Sequence, residues 1–332
     1  MADSSAGWLD FEKPIFDVEQ KISTLENVQK KSGVDMAEEI AKLRAEADQK
    51  KREIFAKLSP WQRVQLARHP LRPETDDYIP LIFEDFVELH GDKSFGDDKA
   101  ITTGLCRVAG RRIMLIAQCK GKTTKERMAR NFGSPHPEGY KKALEKMKLA
   151  EKFKLPVVTL VNTPGAYPGI GAEERGQALI IARNLMEMAR LKTPIISIVI
   201  GEGGSGGALG ICVADRLSML ENSYLSVISP EGCAAILWRD SSKAAMAAEL
   251  LRLTGPDLQS LGIINDIIPE PLGGAHRDHR GAAEILRATI ARYLDELESK
   301  SIDRLLDQRY DKYRRIGAFV EEESSKLVSA PR

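Results

Sequence analysis

The sequence predicts an α/β protein organised on a largely parallel sheet, and two stretches carry that expectation. Residues 194–200, Pro-Ile-Ile-Ser-Ile-Val-Ile, are short, apolar and β-branched, as expected of a strand buried on both faces. They run into five glycines within residues 201–207, and the chain resumes as apolar Ala208 to Val213, read as a buried helix. The same device occurs upstream, where Leu155 to Val161 leads into Asn162-Thr163-Pro164-Gly165-Ala166-Tyr167-Pro168-Gly169 and then a helix from near Glu173. Two consecutive strand–glycine loop–helix units place both loops at one edge of one sheet.

The remaining elements follow from periodicity. Phe16 to Gln29 and Met36 to Leu58 read as charged amphipathic helices separated near Gly33, with Ile22, Leu25 and Val28, then Ile40, Leu43, Ile54 and Phe55, at helical spacing. Trp61 to Ala67 and Asp76 to Leu89 read as further helices. Ile101 to Val108, the Ala109-Gly110 turn and Ile113 to Gln118 read as a hairpin. Helix is expected over Pro137 to Lys154 and from Glu173 to Leu191, and short strands over Leu217 to Leu220 and Tyr224 to Ile228. Helices follow at Pro230 to Trp238, Ala244 to Leu253 and Pro256 to Leu261. A late strand is expected over 262–269, and after Pro271 helix runs almost to the end. The division predicted is an N-terminal helical extension at 1–75, an α/β body at 76–320 and a C-terminal tail at 321–332.

Composition narrows the class. A net charge of +1 over 332 residues carries no global signature of a nucleic-acid or membrane binder. The four cysteines, Cys106, Cys119, Cys212 and Cys233, form no Cys-x-x-Cys pair, so buried free thiols in a reducing compartment are expected, with no metal on this chain. The polar N-terminus has no apolar signal core, and no apolar run reaches the ~20 residues of a membrane span. A cytoplasmic protein is predicted.

Glycines at a strand-to-helix turn leave amides unpaired at the helix start and let a ligand approach the backbone. Neither loop contains Gly-Lys-Ser/Thr, and neither fits Gly-x-Gly-x-x-Gly cleanly, so the nucleotide fingerprints are set aside. What remains is an oxyanion site built from amide N–H groups.

Seven ordered motifs carry a resemblance: Arg130-Asn-Phe-Gly133, Pro137-Glu-Gly-Tyr140, Thr163-Pro-Gly-Ala-Tyr-Pro-Gly169, Gly171-Ala-Glu-Glu-Arg-Gly-Gln177, Gly201-Glu-Gly-Gly-Ser-Gly-Gly-Ala208, Ser229-Pro-Glu-Gly-Cys233 and Ile268-Pro-Glu-Pro-Leu-Gly-Gly-Ala-His276. Over about residues 8 to 276 the chain resembles the crotonase superfamily and, more narrowly, the carboxyltransferase α-subunit family of bacterial-type acetyl-CoA carboxylase. The resemblance implies that residues 76–320 form a crotonase-like spiral of βα units, with a helical C-terminal tail. It implies carboxyl transfer from carboxybiotin to acetyl-CoA, giving malonyl-CoA, the first committed step of fatty-acid synthesis. It also places Gly206 and Gly207 as biotin-side oxyanion donors, with Gly165 and Ala166 as a possible second donor loop. Gly203, Gly204, Ser205, Tyr167, Lys120 and Lys122 are then candidate substrate-binding residues. The implied partners are a zinc-carrying β subunit in an α2β2 heterotetramer, the biotin carboxyl carrier protein that bears the biotin, and biotin carboxylase in the ATP-dependent complex.

Other features carry rival readings. Residues 107–154 hold fourteen Lys or Arg against four Glu, either a patch that attracts CoA phosphates or carboxybiotin, or a solvated face. His276 and His279 read as an ordinary surface turn rather than a metal pair. Tyr167 and Trp238 are candidates to line a biotin pocket or to pack in the core. Gly203-Gly204-Ser205-Gly206-Gly207 also fits Gly-x-Ser-x-Gly, the spacing of a serine hydrolase nucleophile. An acyl-CoA hydratase or isomerase of the same fold is the other alternative, and it needs a carboxylate base at the sheet edge.

Overall fold

The computed structural model describes residues 7–317, so the tail expected at 321–332 lies outside the described residues. The extension is a helical hairpin, α1 (Lys13–Ser32) and α2 (Ala37–Phe55), turned at Gly33, whose φ of 69° caps α1. α3 (Pro60–Ala67) follows, N-capped by Ser59 in a reciprocal box with Gln62. Next come α4 (Thr75–Ile82), β1 (Glu84–Glu88), β2 (Ile101–Val108), β3 (Arg111–Gln118), α5 (Thr124–Ala129) and α6 (Pro137–Phe153). The centre of the chain is β4 (Val157–Thr163), α7 (Ile170–Glu174), α8 (Gln177–Arg190), β5 (Ile195–Gly204) and α9 (Ser205–Leu209). It is completed by β6 (Arg216–Leu220), β7 (Tyr224–Ser226), α10 (Pro230–Trp238), α11 (Ala244–Leu251), α12 (Gly255–Ser260), β8 (Asp266–Ile268), α13 (His279–Glu298) and α14 (Ile302–Arg314).

The strands form one sheet in the order β1-β2-β3-β4-β5-β6-β8, with β7 paired to the end of β5. From β3 to β8 every pairing is parallel, as expected; β1, β2 and β3 are antiparallel, so the sheet is mixed. The β2–β3 turn is the Ala109-Gly110 pair, with φ of 49° and 78°, a two-residue turn whose twist suits a hairpin. Alternate residues of the central strands serve two cores. Leu115, Leu160, Ile196 and Ile198 meet Tyr78 of α4 and Leu286 and Ile290 of α13. Ile116, Val161 and Val199 meet Tyr140 and Met147 of α6 and Met188 of α8. Burial on both faces is why these strands read as continuous apolar runs.

Several boundaries differ from the sequence expectation. The helix predicted over Asp76 to Leu89 ends at Ile82, and the following residues join the sheet edge as β1. Gly104 admits that strand, since a β-carbon there would lie 2.6 Å from the Val87 carbonyl oxygen. The helix expected from Glu173 to Leu191 is two helices, broken by Gly176 at φ 83°. Strand β5 continues through Gly204 because Glu202 to Gly204 pair with β7, and the helix expected over Ala208 to Val213 is instead the single turn α9. The strands expected at 224–228 and 262–269 shorten to three residues each, and the C-terminal helix breaks between Glu298 and Ile302. α5 was not anticipated; its signal is the capping box of Thr123 and Glu126.

Candidate active site

The loops after β4 and β5 are pressed together at the sheet edge. A β-carbon on Gly207 would lie 2.8 Å from the Gly165 α-carbon, and one on Gly204 would lie 2.8 Å from the Gly165 nitrogen. Glycine at both positions is therefore what lets the loops touch. Gly165 itself holds φ at 151°, a conformation side chains resist. Gly206 differs: the nearest atoms to a β-carbon there belong to Ile181, 3.9 Å away.

Ser205, Gly206 and Gly207 form the first turn of α9, ahead of the first intrahelical N–H donor, and no side chain caps that end. Their amides are the available donors. The Gly165 amide is not equivalent, because it donates to Thr163 Oγ1 at 3.1 Å. The turn is held from below. Gln118 Nε2 and Tyr140 Oη donate to the Gly207 carbonyl at 2.9 and 3.0 Å. Asn184 Nδ2 donates to the carbonyls of Gly210 and Tyr140. None of these three supports was singled out from sequence; Tyr140 lies within the second motif, and Gln118 ends β3.

Beside Ser205 and Gly206 lies a cavity of about 320 Å3, lined largely by apolar side chains that include Leu209, Leu225, Val227 and Leu251. On the other side of the paired loops, Glu202 is buried and bound by Arg68 Nε at 2.7 Å, Tyr224 Oη at 2.6 Å and Lys120 Nζ. Burial acts to raise the Glu202 carboxyl, but the charges of Lys120 and Arg68 outweigh it and hold the group down to about 2.

The structure redistributes the other candidates. Lys120 is committed to Glu202, and Lys122 to Asp77 at 2.5 Å. The wider basic stretch is met by acids from elsewhere: Arg107 by Asp85, Arg111 by Asp295 and Glu298, Arg130 by Asp76, Lys142 by Asp97 and Lys148 by Glu187. Tyr167 stacks on His136, with ring centroids 4.1 Å apart, and neither it nor Trp238 lines the cavity beside Gly206. Cys106, Cys119 and Cys212 are buried free thiols, and Cys233 is half-buried.

Ser205 is exposed and sits at φ 49°, but no histidine reaches it. The five histidines bond elsewhere: His69 to Gly7 and Leu71, His90 to Asp97, His136 to Arg175, His276 to Glu12 and His279 to Leu71. His276 is no surface residue, contrary to expectation. It is buried, donates from Nε2 to Glu12 Oε1 at 2.9 Å and packs on the His69 ring at 4.3 Å. Glu12 also accepts from Leu9 N–H and Arg277, so the knot fastens the start of α1 to the body.

A mixed α/β sheet whose two edge loops pair glycine against glycine has the architecture of a crotonase-like protein. Residues 8–317 match the family described as acetyl co-enzyme A carboxylase carboxyltransferase-like, and the chain belongs to that family. It is 56% identical over 313 residues to the acetyl-coenzyme A carboxylase carboxyl transferase subunit alpha of Geobacter metallireducens, covering 94% of this chain and 98% of that one. It is 56% identical to the subunit of the same name from Burkholderia cenocepacia, covering 95% and 97%. Among solved structures, a transcarboxylase 12S core superposes with a TM-score of 0.57 at 22% identity, over 69% of this chain and 42% of that chain. A Pseudomonas malonate decarboxylase hetero-tetramer does so with 0.54 at 18% identity, over 67% and 88%. Both likenesses concern the fold. Among the described residues no helix is long and apolar enough to cross a membrane.

Proposed function

We propose that this chain is the α subunit of an acetyl-CoA carboxylase carboxyltransferase, and that the turn Ser205-Gly206-Gly207 is its biotin-side oxyanion site. The observation that carries the reading is the close approach of Gly207 to Gly165, which fixes a row of free amides at a turn no side chain can cover. Carboxybiotin, delivered on its carrier protein, supplies the carboxyl group: its N1′–carboxyl bond breaks, the new bond forms to the acetyl methyl carbon, and the methyl proton passes to N1′. The amides of Gly206 and Gly207 hold the ureido oxygen as charge gathers on it. The apolar cavity of about 320 Å3 beside Gly206 suits the hydrocarbon part of biotin and keeps water from the site. Ala166, on the facing loop, lies against Gly207 and is the candidate second donor there. A β subunit supplies the CoA side, in an α2β2 assembly that works with the carrier protein and biotin carboxylase in the cytoplasm.

Exposed Leu209 and Val227 at the mouth of that cavity, and Leu250 on α11, leave apolar surface for such a partner to cover. The test is malonyl-CoA formation by the purified chain, alone and with its β subunit. Activity is expected only in the mixture, and robust turnover by the single chain would sink the proposal.

A further inference from the structure

A second cavity, of about 350 Å3, opens at the carboxyl ends of β3, β4 and β5, on the Pro164 side of the paired loops. Its size falls within the ~300–1,000 Å3 of small-molecule sites, and strand carboxyl ends are where open α/β sheets take ligands. Its walls include Arg68, Lys120, Arg127, Phe132 and Glu202. Arg68 and Lys120 are already committed to Glu202. Arg127 is not. Its Nε donates to the Gly121 carbonyl at 3.0 Å, and among the described residues no carboxylate pairs with its two terminal nitrogens. A further wall acid, Glu74, accepts from the amides of Lys120 and Gly121 at 3.2 and 2.9 Å and shares only the longer-range charge of Arg127.

The backbone beside Arg127 is strained. Asn131, Phe132 and Gly133 follow one another with φ of 50°, 55° and 82°. Side chains resist that conformation, and it persists where the surroundings enforce it. The run leaves the Phe132 side chain 60% exposed at the cavity wall. The Gly133 carbonyl then accepts from Thr163 Oγ1 at 2.6 Å, tying the turn to the loop that faces Gly207. An open aromatic face and an unspent guanidinium fork thus flank one concavity.

We propose that this cavity binds a phosphorylated nucleotide, its ring on Phe132 and its phosphate on the Arg127 fork. Two sources share that chemistry: the phosphoadenosine end of a CoA whose acyl end the β subunit holds, which rests on the function proposed above, and a free nucleotide. The test titrates adenosine 3′,5′-bisphosphate into the assembled α–β complex, wild type and with Arg127→Gln or Phe132→Asn, asparagine being at ease in the left-handed region. Affinity is expected to fall about tenfold in Arg127→Gln, the loss of one charge-assisted contact. If KM for acetyl-CoA rises in parallel while acetyl-pantetheine is unaffected, the nucleotide is the substrate's own; if KM stays fixed, it is a free ligand. Equal affinity in wild type and both variants, or no binding at all, overturns the proposal. Carboxylation of acetyl-pantetheine by the wild-type complex reports on the carboxyltransferase reading separately.

Discussion

Gln118 bridges the two loops of the site: its Nε2 donates to the Gly207 carbonyl at 2.9 Å while its Oε1 accepts the Asn162 N–H at 3.1 Å. One buried amide therefore sets the position of both loops at once. Gln118→Leu leaves the Asn162 N–H without its acceptor, a loss of roughly 1–3 kcal/mol. Malonyl-CoA formation in the α–β complex should drop about tenfold or more in kcat, with KM little changed. Tyr140→Phe removes the second donor to Gly207 while Gln118 stays, so its effect should be smaller. Equal kcat in wild type and Gln118→Leu would remove Gln118 from the positioning of this turn.

Gly206 and Gly207 should answer differently to the same substitution. At Gly207 any β-carbon enters the Gly165–Ala166 backbone, so Gly207→Val should lower the melting temperature and hinder assembly as well as activity. Gly206 has open space toward Ile181, so Gly206→Val should fold and assemble. Its side chain would obstruct the amides, and obstruction of an oxyanion donor costs about 10²–10³ in rate. Normal transfer by a well-folded Gly206→Val complex would place the oxyanion site elsewhere.

Both glycine loops and the parallel core were legible because strand burial leaves apolar runs and tight turns leave glycine. What escaped is long-range. β1 reads as a continuation of α4 because its pairing with residues 104–107 is invisible locally. The glycines of 201–204 read as a loop because β7, which makes them a strand, lies twenty residues on. His276 looked like a surface turn because its partner, Glu12, stands at the far end of the chain. The basic surplus of 107–154 looked like a patch because its neutralising acids come from residues 76–98, 187, 202, 295 and 298.

Ser205 separates amide chemistry from nucleophilic chemistry. Its hydroxyl has no hydrogen-bond partner among the described residues and does not cap α9. Ser205→Ala should keep carboxyl transfer within about tenfold, because alanine retains the amide, whereas removal of a catalytic serine costs roughly 10⁶. Ser205→Gly should also stay active and melt slightly higher, since it relieves a left-handed φ of 49°. Stoichiometric labelling of Ser205 by a fluorophosphonate, with loss of activity in the alanine variant, would establish covalent catalysis instead.

Lys120 is a candidate ligand residue that the structure commits to Glu202. Lys120→Met should leave a buried carboxylate with Arg68 as its remaining cation and so destabilise the fold, a change seen in thermal melting. Stability should also fall as acid protonates Glu202. Its folded pKa, about 2, lies below the ordinary 4.5, so the contribution is complete above 4.5 and fades as pH drops toward 2. A raised KM for either substrate with an unchanged melt would restore a binding role to Lys120.

The N-terminal knot should loosen at mildly acidic pH. Burial first, and the neighbouring His276 second, push the His69 imidazole from 6.5 down to about 4. The folded state therefore keeps His69 neutral, donating to the Gly7 carbonyl and accepting from Leu71 N–H, while the unfolded chain protonates it near 6.5. A depressed folded pKa means the stabilisation is whole above 6.5 and is lost as pH falls toward 4. Glu12 and Arg277 complete the charged surroundings and hold residues 7–12 to the body through the same contacts. Between pH 7 and 4 the wild-type melting temperature should fall more steeply than that of His69→Asn, which keeps a donor and an acceptor but does not titrate. Limited proteolysis should cut before α1 sooner at pH 5 than at pH 7 in the wild type alone. Parallel melting curves for the two proteins across that range would show that His69 is not the group that titrates.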